Sequence, residues 1–305
     1  MGKGSQIYEQ QEEEWLSDDI YLWRYVPLRT LWVYLARKSI FIPSIKKLRE
    51  SDPFEGDFSF GITWFNTALA EIEKEDESIQ NWLFKNRFSK SERDFSKRNS
   101  DSVNTAAYLM QKHYFEFIHE TRFAWCWFCN GNQDAAMWSN YGNGGVAIRT
   151  TVGKLKAMLE AHTKENFAFG KMRYIQYQED ELNPEKLRDA KFILRPHFLK
   201  RSEYKNENEV RFVVAAPAKE KTQGIILKQI DPKLWIEEII LWPGLKPLEV
   251  DALKIAIHKI APKIRCNYSD LLGHQKNQLF ATLESSYENY DLSIWDRIPT
   301  KLKEL

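Results

Sequence analysis

Two carboxylates, Glu207 and Glu209, stand two residues apart at the entrance to an apolar run in the segment KRSEYKNENEVRFVV, Lys200 to Val214, with Arg211 close behind them. If Glu207 to Val214 is a strand, side-chain alternation puts all three on one face. Acids beside a fixed cation can stabilise positive charge developing on a substrate or take a proton from it. The same residues also make an ordinary ion-pair ladder on a sheet, and the segment alone does not separate the two readings.

The elements that must position these residues are legible along the chain. Ile20 to Tyr25 reads as a strand, Leu28 to Arg37 as a helix after Pro27, and Ser39 to Pro43 as a strand stopped by proline. Ser51 to Gly56, SDPFEG, is turn chemistry. From about 60 to 120 the spacing is helical, with charged stretches between apolar anchors, and reads as a helical elaboration.

Arg122 to Phe128 then predicts a buried strand, Gln133 to Gly142 a short helix, Gly145 to Thr150 a strand and Thr151 to His162 a helix. Met172 to Tyr177 predicts a strand and Asn183 to Lys200 a helix interrupted by Pro196. Strands at Glu209 to Pro217, Gly224 to Ile230 and Glu237 to Pro243 follow, and the helix Leu248 to Ala261 comes after them. Together these predict an α+β fold: mixed, mostly antiparallel sheets with packed helices, as one domain over 20–305 behind a polar arm at 1–19.

With 305 residues and a formal net charge of +1, the chain has no global pull towards nucleic acid or membrane. No apolar stretch is long enough to span a bilayer, and the start lacks the apolar core of a signal peptide, so a cytoplasmic protein is expected. Cys126, Cys129 and Cys266 do not make a disulfide scaffold. The Cys126/Cys129 pair supplies half a zinc site, and its aromatic neighbours point to thiols buried in a core strand. One basic-aromatic patch is present: Lys85, Arg87, Lys90, Arg93, Lys97 and Arg98, interleaved with Phe84, Phe88 and Phe95. It reads either as a solvated amphipathic face or as a nucleic-acid contact.

The phosphate-binding loop, dinucleotide fingerprint, zinc-protease and nucleophile-elbow motifs are absent from the sequence. Four ordered segments are present instead. They are YLWRYVPL with Arg24 and Tyr25, SDPFEG with Asp52, Pro53 and Glu55, MWSNYG with Met137, Trp138, Ser139 and Tyr141, and YKNENEVRFVV. From about residue 20 to 260 this set resembles the bacterial family called domain of unknown function 2971. Tyr204 supplies the aromatic expected before the acid pair. The basic residue expected after the Tyr motif is replaced by Asn143-Gly144.

A fainter similarity carries chemistry. An Arg near the end of a first strand, a Ser/Tyr element and a Glu-x-Glu is the order of motifs in ADP-ribosyltransferase-like proteins. The resemblance implies that Arg24 holds the phosphates or ribose of NAD, that Tyr25, Trp138, Ser139 and Tyr141 form the binding element, and that Glu209 is catalytic with Glu207 as its partner. NAD is then the substrate, a protein or nucleic acid is the acceptor, no metal is required, and the role is that of a toxin or phage-defence effector. On this reading Glu209→Gln abolishes turnover with little change in melting temperature. Two other readings stay open: a non-catalytic nucleic-acid or nucleotide sensor using the Lys85 to Arg98 patch, and a metal-dependent nuclease built on Asp52, Glu55, Glu207 and Glu209.

Overall fold

The computed structural model describes residues 8–9, 16–56, 84–98, 103–175, 196–216 and 223–271, without the side chains of 8–9, 96–98, 103–107 and 175. The expectations for residues 10–15 and 57–83, and for the helix over 183–195, lie outside the described residues. In chain order the elements are β1 (Tyr8–Glu9), β2 (Tyr21–Val26), α1 (Leu28–Ala36), β3 (Ile40–Pro43), α2 (Ile45–Leu48), α3 (Lys90–Arg98), α4 (Val103–Thr121), β4 (Arg122–Phe128), β5 (Val146–Thr151) and α5 (Val152–His162). They continue with β6 (Asn166–Lys171), β7 (Arg173–Ile175), β8 (Leu199–Arg201), β9 (Glu209–Ala215), β10 (Gly224–Leu227), β11 (Glu238–Leu241), α6 (Pro247–Ile260) and β12 (Arg265–Tyr268).

One 8-stranded sheet, in the order β1-β6-β9-β4-β2-β5-β11-β12, organises the molecule. Its central pairs are antiparallel and the two outermost, β1 with β6 and β11 with β12, are parallel. This is the mixed, mostly antiparallel α+β architecture expected. Two small sheets, β10 with β3 and β7 with β8, complete it.

Alternation assigns the two faces of the sheet. Leu22 and Val26 of β2, Trp125 and Trp127 of β4, and Val210, Phe212 and Val214 of β9 share one core with Leu31 and Leu35 of α1, Leu155 and Leu159 of α5 and Ile257 of α6. Trp125, Trp127 and Trp235 meet edge to face there at 5.0 to 6.1 Å, a geometry suited to ring quadrupoles. The opposite face carries Glu209, Arg211 and Val213 of β9, Ala124, Cys126 and Phe128 of β4, and Trp23 and Tyr25 of β2. Polar and ionisable groups are collected on that second face.

Two local expectations are corrected and one strand is added. Lys200 lies in strand β8, because a three-residue helical turn at Pro196–Phe198 gives way to pairing with β7. The strand carrying the acids begins at Glu209. Glu207 instead ends a 3-10 turn, Ser202–Glu207. Strand β6, which the sequence reading left unassigned, is the partner of β9 on the side away from β4.

Candidate functional site

The site grows from the start of β9. Between Glu207 and Glu209 the chain passes through Asn208 in the left-handed region, φ 44, a conformation Asn tolerates better than most residues. Asn208 is pinned by its side-chain amide to the Cys129 carbonyl, while its own carbonyl accepts from Cys129 N at 2.9 Å. That turn lets two acids from different backbone conformations reach one ammonium. Lys200 Nζ donates to Glu207 Oε2 and, at 2.9 Å, to Glu209 Oε2.

Arg211 ties Glu209 to the turn at residues 52–56. Its Nε donates to Glu209 Oε1, and its two terminal nitrogens grip both oxygens of Glu55, Nη2 to Oε2 at 2.8 Å. Nη1 also donates to His197 O at 2.9 Å. The bidentate fork suits a planar guanidinium against a carboxylate. Glu55 is presented by a turn in which Asp52 Oδ1 accepts from Phe54 N at 3.1 Å and Glu55 O accepts from Arg49 at 2.9 Å. The turn closes at Gly56, φ 70, where a Cβ would come within 2.5 Å of Ile45 Cγ2.

The network reaches the surface at two points. At one, the Tyr141 hydroxyl donates to Glu207 Oε1 at 2.6 Å, from a ring that is 41% exposed and packed 5.3 Å from Phe128. At the other, Arg201 donates to Asp52 Oδ1 at 3.3 Å and to Tyr204 OH at 3.2 Å, and lies 4.8 Å from the exposed ring of Phe54 and 5.3 Å from that of Tyr204. Lys200 lies 4.7 Å from the Tyr204 ring, so that ring is shared by both cations.

Electrostatics follow from burial and partners. Burial alone would raise the Glu209 carboxyl, but Arg211 and then Lys200 reverse this and hold it at about 2. Lys200 is pushed down by burial and, more strongly, up by Glu209 and Glu207, so it stays an ammonium. The Tyr141 phenol is raised by burial and then by Glu207, and Tyr174, whose oxygen accepts from Glu209 N at 2.8 Å, is raised by burial to about 12. Cys126, beside Glu209, is held as a thiol by burial and by that carboxylate. Three buried acids, Glu55, Glu207 and Glu209, thus face two buried cations, Lys200 and Arg211, leaving one negative charge in excess.

Of the residues expected from sequence, Tyr141, Glu207 and Glu209 are brought together here, with Asp52, Glu55 and Arg211. Arg24 is not part of the cluster. It is in phase with Leu22 and Val26, which belong to the helix-covered core, and its Nη1 donates to the Cys126 carbonyl. Tyr25 and Trp138 are buried and pack edge to face at 4.9 Å, with Tyr25 OH accepting from Asp134 N at 3.0 Å and its phenol raised by burial to about 12. Ser139 is exposed on the π-helical turn Trp138–Gly142.

Lys200 and Arg201 are the members that sequence reasoning passed over. Two adjacent basic residues six and seven places before Glu207 were the available signal. The four acids offered for a nuclease are each answered by a protein cation: Asp52 by Arg201, Glu55 by Arg211, and Glu207 and Glu209 by Lys200. Among the described residues no group of three or more His, Cys, Asp or Glu is arranged to hold a metal ion. In the basic-aromatic patch Arg87 pairs with Glu120 at 2.8 Å, Arg93 donates to Lys85 O at 3.1 Å, and Phe88 is buried against His113. Lys90 is exposed, and the side chains of Lys97 and Arg98 lie outside the described residues.

No curated protein and no solved structure matches the chain. A family model does: residues 137–212, which run from the Tyr141 turn to the Glu207–Arg211 segment, are similar to the family described as Protein of unknown function (DUF2971).

Proposed function

We propose that the chain is an ADP-ribosyltransferase-like enzyme that uses NAD as its substrate, with Glu207 as the carboxylate at the reacting ribose. The observation that carries this reading is the excess negative charge of the buried network, which meets the surface where Glu207 touches Tyr141. In the reaction the bond from ribose C1′ to the nicotinamide nitrogen breaks and its electron pair leaves with nicotinamide. C1′ passes through an oxocarbenium-like state, and the acceptor's lone pair forms the new bond while its proton is lost to a base. A fixed carboxylate stabilises the cationic stage and can accept that proton.

The other residues divide the remaining work. Glu209 is fully engaged by Arg211 and Lys200 and acts as a brace that holds Lys200, and through it Glu207, in place. Arg201, set between the rings of Phe54 and Tyr204, takes the phosphate-holding role that the motif order assigned to Arg24. Exposed Tyr141 and Phe54 offer ring faces to a nicotinamide or adenine.

Calorimetric titration of NAD tests the binding half of the reading. The wild type binds, Arg201→Ala weakens binding at least tenfold, and Arg24→Lys leaves it unchanged. Equal affinity for wild type and Arg201→Ala, or no heat with either, contradicts it.

A further inference from the structure

At the far edge of the main sheet, helix α6, the loop after it and the start of edge strand β12 enclose an open groove of about 580 Å3. Its lining holds Lys254, His258, Lys259, Lys263 and Arg265 and not one acid. Among the described residues no carboxylate forms an ion pair with any of the four fixed cations. In a chain whose formal net charge is +1, this is a concentrated local field.

Local structure explains part of it. His258 and Lys259 complement the negative end of the α6 dipole, and a charge such as Arg265 protects an edge strand from pairing with another chain. Neither reason covers Lys254, in the middle of the helix, or Lys263, beyond its end. Both nevertheless line the same concavity, whose apolar wall of Ile255, Pro262 and Ile264 sharpens the field that the cations set up. Lys254 also acts on the Cys266 thiol at the groove's edge, which burial raises to about 11 against the pull of that ammonium, with Glu238 on the neighbouring strand adding to the rise.

We propose that this groove binds the phosphodiester backbone of duplex nucleic acid. Closely spaced phosphates match four fixed cations in a lining that holds no carboxylate. The lining holds no Phe, Tyr or Trp to serve as the stacking platform that single strands use, so contacts go to phosphates and carry no sequence preference. The site stands apart from the acid network and does not depend on what that network catalyses.

The test is fluorescence anisotropy with a labelled 20-base-pair duplex, once as DNA and once as RNA, over a salt series. The wild type binds with log K falling against log salt at a slope of about −3.6, four contacts at ~0.9 each. Lys254→Gln/Lys263→Gln weakens binding at least tenfold and lowers the slope by about 2, with an unchanged melting curve. Lys85→Gln/Lys90→Gln leaves both unchanged. The proposal is overturned by absence of binding at 50 mM salt, by an unaltered slope in the groove variant, or by loss of binding in the Lys85/Lys90 variant instead. Complete displacement of the duplex by tripolyphosphate at equal phosphate concentration also overturns it, because the ligand is then a compact oligophosphate.

Discussion

Arg211 bonds Glu209 across one strand pleat, Nε to Oε1 and Nη2 to Oε2, with both side chains 1% exposed. A pair so placed cannot lose one charge quietly: among the described residues, without Glu209 the only carboxylate left to Arg211 is Glu55 and the only one left to Lys200 is Glu207, in a medium that solvates neither cation. Glu209→Gln is therefore expected to cost about 3–5 kcal/mol, since two buried cations lose the carboxylate they share. That corresponds to roughly 5–8 °C in Tm for a chain of this size. Differential scanning calorimetry checks it. This replaces the expectation from sequence that the substitution spares the melting temperature.

The pH dependence of stability has a definite sign. Glu209 is held at about 2 against an ordinary 4.5, so its contribution is complete above 4.5 and is lost as pH falls towards 2. Lys200 is raised above its ordinary 10.5, so its contribution is complete below 10.5 and fades only as pH rises beyond it. Urea midpoints measured from pH 2 to 11 should show a fall on the acid side that is absent from Glu209→Gln.

Lys200→Met removes the cation that both acids share. Glu209 keeps Arg211, whereas Glu207 keeps only the Tyr141 hydroxyl. A loss of about 3–5 kcal/mol at pH 7 is expected from the uncovered charge. Denaturant midpoints of the variant and the wild type at pH 7 check this, and an unchanged midpoint contradicts it.

Tyr141→Phe deletes one hydrogen bond from a half-exposed ring and should cost about 1 kcal/mol or less in stability. Its effect on NAD turnover should be larger, roughly tenfold, because the phenol fixes the orientation of Glu207 and a tenfold loss corresponds to only about 1.4 kcal/mol in the barrier. Comparing Tm with the rate of nicotinamide release separates the two effects.

Much of the fold was legible because apolar periodicity is a local signal. The runs IYLWRY, RFAWCWF and EVRFVV each lie in or overlap a central strand, and LRTLWVYLA forms α1. Strand β6, NFAFGK, carries a glycine and a polar start that hid it, and Lys200 read as a helix end because its strand is only three residues long. The acid cluster was legible in type but not in geometry. Glu55 and Arg211 are 156 residues apart, and nothing local announces their contact. The left-handed Asn208 moved Glu207 out of the strand, and alternation set Arg24 in phase with the helix-covered core, away from the acids.

The division of labour between Glu207 and Glu209 is tested most directly by nicotinamide released from NAD, measured by chromatography at a temperature well below the Tm of every variant. Wild type is expected to release nicotinamide in the presence of protein or nucleic-acid acceptors. Glu207→Gln is expected to lose at least a hundredfold in rate while its Tm falls less than that of Glu209→Gln, since Lys200 retains Glu209. Wild-type rates in Glu207→Gln, or no release by the wild type with any acceptor, contradict the account.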